Sequence, residues 1–138
     1  MGVETKTSVY IDACLVIYLV EKHELFFPLL ENRIAEASNI IFAISDLTKM
    51  ECLILPTRNE DDALLRRYKA WLAEAWLLTP VTDVFEKATE LRAGNSTLKT
   101  PDALHLAAAL HHNCDEFWTN HNRLTAVAPG IVRNILTT

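Results

Sequence analysis

Short runs of β-branched and aromatic residues recur along this chain with helical patterns between them. That alternation restricts the fold more than any single motif does. The runs are SVYID (8–12), NIIFAI (39–44), WLLTPV (76–81), EFWT (116–119) and GIVRNI (130–135). Each has strand length and is bounded by polar or turn-forming residues. Helical spacing marks residues 13–21, 25–37, 46–54, 60–76, 82–93 and 101–113. A strand followed by a helix and then by another strand implies a crossover, so the strands pair in parallel and helices cover both faces. The expectation is an α/β fold on a central, mainly parallel five-stranded sheet, with ligands bound beyond the carboxyl ends of the strands.

Local chemistry supports these boundaries. In residues 60–76, Leu64, Leu65, Tyr68, Trp71, Leu72 and Ala75 fall at helical spacing, and Asn59 stands where it can cap the first turn. Glu60, Asp61 and Asp62 then sit where the helix dipole favours negative charge, so the triplet reads as helix-start chemistry. Pro28 fits the first turn of 25–37, where a missing N–H is tolerated.

With 138 residues, half of them apolar, only three glycines and no repeat or linker, the chain is expected to form one domain over 1–138. Its longest apolar stretches, CLVIYLV and ALHLAAAL, fall short of the roughly 20 residues that span a bilayer. The opening MGVETKTS lacks a basic segment followed by an apolar run, so a cytoplasmic location without membrane attachment is expected. Cys14, Cys52 and Cys114 are odd in number and far apart, which suits buried reduced thiols. A formal net charge of −5 argues against a basic surface that coats nucleic acid. It leaves room for local phosphate binding, because a bound cation reverses the field of the carboxylates around it.

Three acids stand where the chain changes element. Asp12 closes SVYID and precedes the apolar ACLVIYLVE; as an N-cap it would stabilise by about 0.5–2 kcal/mol, the plain account of a lone aspartate. Glu51, in SDLTKMECLIL, borders the stripe marked by Leu47, Met50 and Ile54, a half-exposed carboxylate within reach of Lys49 or Arg58. In LKTPDALHLAAALHHN, Thr100 is a cap, Pro101 fits the first helical position and Asp102 follows, where dipole compensation is worth about 0.3–1 kcal/mol. The helix behind it (Ala103, Leu104, Leu106, Ala107, Ala108, Ala109, Leu110) is apolar nearly all round and hence central, so Asp102 is positioned at its mouth. His105, one turn further, reads as a satisfied, half-buried histidine. A last polar spot, TNHN (119–122), closes EFWT.

Taken in order, VYIDACLVIYLVE, SDLTKMECL, TPDALHLAAA and EFWTNHNRL resemble the PIN-domain family, and within it the VapC-type toxin ribonucleases, over nearly the whole chain. The resemblance implies a PIN-like three-layer α/β/α sandwich and a metal-dependent endoribonuclease. Its catalytic and metal-binding residues would be Asp12, Glu51 and Asp102, holding Mg²⁺ or Mn²⁺ so that a metal-activated water hydrolyses RNA. It also implies a homodimer and a cognate antitoxin, with Phe26, Phe27, Trp71 and Trp76 as candidates for an apolar docking groove. Two positions depart from the pattern. His121 stands where relatives have a fourth acid, and Cys14 where they often have Asn or Ser. His121 has three readings: a neutral metal ligand, a proton donor or phosphate contact, or a loop residue capping the short helix implied by NRLTAVA. Thr119, Asn120 and Asn122 would shape the loop or hydrogen-bond an acid, and Lys49, Arg58, Lys99 and Arg123 would contact phosphates. The alternative implied by the departures is a PIN-like module without catalysis that binds nucleic acid or protein.

Overall fold

The computed structural model describes residues 5–137, so half of the opening segment that carries the leader expectation lies outside it. The strands are β1 (Thr7–Ile11), β2 (Ile40–Ile44), β3 (Trp76–Leu77), β4 (Glu116–Thr119) and β5 (Val132–Asn134). The helices are α1 (Ala13–Val20), α2 (Phe26–Ala37), α3 (Asp46–Arg58), α4 (Asp62–Ala73), α5 (Thr82–Gly94), α6 (Thr100–His111) and α7 (Asn122–Val127). The strands form one sheet in the order β3-β2-β1-β4-β5, and every neighbouring pair is parallel.

The two-residue period of the strands sorts their side chains into two cores. Tyr10, Ala43 and Phe117 face α5, α6 and α7, packing with Val84, Leu106, Ala107 and Leu124. Val9, Ile11, Ile44 and Trp118 face the other way, onto Leu15 and Val16 of α1, Leu30 of α2, Cys52 of α3 and Tyr68 of α4. The result is the expected α/β/α sandwich. The second halves of β1 and β4 are buried on both faces, which is why Val9, Tyr10, Ile11, Phe117 and Trp118 follow one another without polar alternation.

Several boundaries differ from the sequence reading. Strand β3 is two residues long because Thr79 and Pro80 are already exposed after the buried Leu78. Helix α3 was expected to end at 54 but runs through Pro56 to Arg58; the proline is buried, and the Asn59 N–H to Leu55 carbonyl bond of 3.0 Å extends the helical pattern past it. Asn59 therefore closes α3, and Asp61 caps α4 by accepting the Leu64 N–H at 3.1 Å. Thr100 lies inside α6, with Lys99 at the cap position. The aromatic groove also differs from expectation. Phe26 packs on Tyr18 and His23, Trp71 packs on Phe42 and Phe27 is half-buried, so of the four only Trp76 is exposed, alongside Met50, Ile54 and Phe85 elsewhere. Among the described residues no helix is long and apolar enough to cross a membrane.

Helix α6 stops two residues earlier than its apolar pattern suggests, and the cause is local. Asn113 adopts φ 57°, the Asn113 N–H bonds the Leu110 carbonyl at 3.2 Å, and the Cys114 N–H reaches back to the Ala109 carbonyl at 2.9 Å. This pair of reversed bonds is a Schellman stop, and it turns the chain directly toward β4. A left-handed residue costs an ordinary side chain about 1–2 kcal/mol. Asn113→Val should therefore lower stability by about that amount in urea unfolding, while Asn113→Gly should leave it unchanged or slightly raised.

Candidate active site

Asp12 ends β1 and caps α1, and it is only 7% exposed. A buried carboxylate needs donors, and it has two. Its Oδ1 accepts the Ala13 N–H at 2.8 Å, and its Oδ2 accepts the Thr119 hydroxyl, also at 2.8 Å. Thr119 ends β4, the neighbour of β1, so the pairing of the two strands itself places the hydroxyl against the acid. The same hydroxyl oxygen accepts the His121 N–H at 3.0 Å, which fixes the path of the TNHN loop. Asn120 donates to the Tyr18 hydroxyl at 3.2 Å, and the Asn122 side-chain oxygen accepts from Asn134 at 2.7 Å. The loop is thereby tied to α1 on one side and to β5 on the other.

Glu51 is held through a buried chain of polar groups. His105 is 1% exposed, more deeply buried than the sequence suggested, and its Nε2 pairs with the Glu51 carboxylate. Its Nδ1 lies 2.6 Å from the Tyr10 hydroxyl, which also meets the Ser45 hydroxyl at 2.8 Å and the Thr48 hydroxyl at 3.2 Å. A carboxylate can only accept, so Nε2 carries the proton toward Glu51 and Nδ1 accepts from Tyr10. Burial pushes the Tyr10 phenol well above its ordinary pKa, against the opposing pull of Ser45 and Thr48, so it stays a donor. Sequence reasoning missed Tyr10, and it read His105 as a satisfied histidine without naming its partners. The available signal was a phenol at the core-facing position two residues before Asp12, which needs a partner when buried.

Asp102 lies in the first turn of α6 with its side chain 14% exposed, and both contacts from Arg123 go to the same oxygen. Nη2 donates to Oδ2 at 2.9 Å and Nε at 3.3 Å. Arg123 belongs to α7, just after the TNHN loop, so this pair brings the mouth of α6 to the carboxyl edge of the sheet. Lys49 is half-buried near the start of α3 and Lys99 is exposed before α6. Arg58 closes α3, about 10 Å of helical rise beyond Glu51, and is the cation that the helix carries away from this edge.

The three acids are not gathered into one tight cluster. Each is drawn to its own partner: Asp12 to Thr119, Glu51 to His105 and Asp102 to Arg123. Among the described residues, the His, Cys and carboxylate donors that approach within 4.8 Å of one another in a group of three belong to Asp12, Cys14 and His121. Cys52 and Cys114 are buried free thiols as expected, whereas Cys14 is half-buried beside the site. Burial, reinforced by the charge of Asp12, pushes its thiol up to about 12. His121 occupies the N-cap position of α7 without making a side-chain capping bond.

The donors suit a hard divalent cation. Each Asp12 oxygen accepts one bond and keeps a further lone pair, and no donor among the described residues reaches Glu51 Oε2 or Asp102 Oδ1. Carboxylate oxygens of this kind are what Mg²⁺ and Mn²⁺ bind.

A fold and an edge of this kind define an α/β protein whose acids stand at the carboxyl ends of parallel strands. The PIN domain family model matches residues 9–129, and the chain belongs to that family. A toxin–antitoxin complex from Klebsiella pneumoniae is 25% identical over 94% of this chain and 99% of that one, with a TM-score of 0.76. The structure of VapBC2 from Rickettsia felis bound to a DNA fragment from their promoter is 16% identical, covers 92% of this chain and 98% of that one, and has a TM-score of 0.75. VapBC-1 from nontypeable Haemophilus influenzae is 15% identical over 95% and 100% of the two chains, with a TM-score of 0.71. No curated protein sequence matches the chain.

The buried Tyr10 hydroxyl carries a stability consequence. Tyr10→Phe keeps the ring in its stack against Phe117 but leaves His105 Nδ1 without its donor. The variant should lose about 1–3 kcal/mol in urea unfolding, the range for an orphaned buried polar group, whereas a loss below about 0.3 kcal/mol would show the chain of bonds to be slack.

Proposed function

We propose that this chain is a metal-dependent endoribonuclease and the toxin of a toxin–antitoxin pair. The observation that carries the reading is Asp12, an acid buried at the carboxyl end of β1 with both oxygens oriented by neighbours, in a chain that matches the PIN domain family. PIN domains are generally divalent-metal-dependent nucleases.

On this reading Asp12, Glu51 and Asp102 hold Mg²⁺ or Mn²⁺, with His121 as a further candidate ligand. A cation held there would supply Lewis acidity toward water and toward a phosphoryl oxygen of the RNA backbone. The residues around it do the positioning. Thr119 and the Ala13 N–H keep the Asp12 carboxylate aimed along the sheet edge, and His105 keeps Glu51 from swinging into solvent. Arg123 neutralises Asp102 and, at 53% exposure, can turn from it toward a phosphate. Lys49 and Lys99 would add sequence-independent phosphate contacts, whereas Arg58, at the far end of α3, would reach only a longer RNA that runs past the edge.

The solved complexes among the structural neighbours support a cognate antitoxin as partner. An apolar cleft of about 320 Å³ lined by Leu47, Met50, Pro80, Phe85 and Leu104 opens beside Ser45 and Asp46 at the start of α3, and would receive an apolar segment. A homodimer and a cytoplasmic setting complete the reading, with 1–138 acting as one domain.

A second reading, a PIN-like module that binds nucleic acid or protein without cleaving, draws on the Arg123–Asp102 pair and on the imidazole where a fourth acid would complete the site. Cleavage of a panel of RNAs with Mg²⁺ or Mn²⁺ separates the two. Asp12→Asn should reduce cleavage by more than the ~10–100-fold that loss of a ligand's outer partner costs. Undiminished cleavage by the variant overturns the site assignment. RNA binding without cleavage under either metal selects the second reading.

A further inference from the structure

The donor atoms closest to one another at this edge are not three carboxylates. Asp12, Cys14 and His121 offer an oxygen, a sulfur and a nitrogen within 4.8 Å of one another, with Asp12 buried and the other two half-buried. Three further features bear on the set. Asp12 is already oriented, so it would bring a fixed carboxylate to any ion. The His121 imidazole makes no hydrogen bond among the described residues, while its backbone is pinned by Thr119. The Cys14 sulfur is half-buried beside the same acid and loop, so a thiolate there gains most when a cation meets it.

Donor type decides which ion such a set prefers. Mg²⁺ gains nothing from sulfur and demands an oxygen octahedron. Zn²⁺ and Co²⁺ accept thiolate, imidazole and carboxylate together, in a tetrahedron with bonds of about 2.0–2.3 Å. Ligand atoms of that tetrahedron stand roughly 3.3–3.8 Å apart, so side-chain rotations of about 1 Å close the present set.

We propose that Asp12, Cys14 and His121 form a binding site for a thiophilic divalent cation of the Zn²⁺ type, with a fourth position left open. On binding, the Cys14 S–H bond breaks, its proton passes to solvent and the metal–sulfur bond forms. One dication with one thiolate and one carboxylate is then neutral, which favours a buried setting over the open surface. The site shares Asp12 with the proposed nuclease centre. Binding therefore stands apart from the nuclease reading, and only its consequence rests on it: the thiophilic ion competes with Mg²⁺ for Asp12 and suppresses hydrolysis.

Co²⁺ titration of the full chain, in a reductant that does not bind metal, tests the proposal. A near-ultraviolet thiolate-to-cobalt band should appear, Zn²⁺ should abolish it and excess Mg²⁺ should not. Cys14→Ser should remove the band, Cys52→Ser should retain it, and His121→Ala should weaken Zn²⁺ binding by about tenfold or more. Absence of the band, its survival in Cys14→Ser, or unchanged Zn²⁺ affinity in His121→Ala overturns the site; the last outcome decides the matter if Cys14→Ser does not fold. RNA cleavage by the Asp12→Asn and Glu51→Gln variants is read in parallel. Cleavage that depends on both acids with no cobalt band sinks this proposal alone, and a band with cleavage indifferent to both acids sinks the nuclease reading alone.

Discussion

The carboxylate of Asp12 is the constraint around which the molecule is arranged. An ionised acid at 7% exposure would be expelled to water or neutralised unless donors met it, and each donor comes from a different element. The Ala13 amide is available because α1 begins at the next residue, and the Thr119 hydroxyl because β4 ends beside β1 in parallel register. Parallel pairing thus does more than build the sheet. It brings two strand ends to the same edge, so a residue near the start of the chain is completed by one near its end.

A second polar chain does the same work one layer over. Tyr10 stands two residues before Asp12 and so faces the α5–α6 layer, where His105 and the start of α3 meet it. The alanines of α6 allow this: Ala103, Ala107 and Ala109 are fully buried and let the helix lie close enough for His105 to reach across from the sheet to Glu51. Polar groups in a core specify one arrangement only when all of them are satisfied. Here the phenol, the imidazole and two hydroxyls are each partnered.

The architecture was legible because the short apolar strand runs alternate with segments whose apolar residues keep helical spacing. The acid closing β1 was legible for the same reason, since a strand, an acid and an apolar helix leave little freedom for where that acid lies. What escaped was non-local or overrode a local rule. His105 meets Tyr10 across 95 positions and Glu51 across 54, and no periodicity encodes such a meeting. Cys14 read as a bland thiol because its neighbours in sequence are apolar, while its neighbour in space is the TNHN loop. The helical pattern over 46–54 fades before Pro56, yet packing carries α3 past the proline to Arg58. WLLTPV looked like a full strand because three apolar residues begin it, but only two of them pair with β2.

That short β3 bears on how the protein survives among other chains. A long apolar edge strand is a template onto which another strand can add, and parallel sheets expose such edges while they fold. Here the edge offers two residues, Trp76 and Leu77, before Thr79 and Pro80 leave the sheet; Pro80 has no N–H to give a newcomer. Beyond them, Trp71 and Ala75 lie against Ile40 and Phe42 of β2. The sheet is ended by giving a visiting strand almost nothing to read.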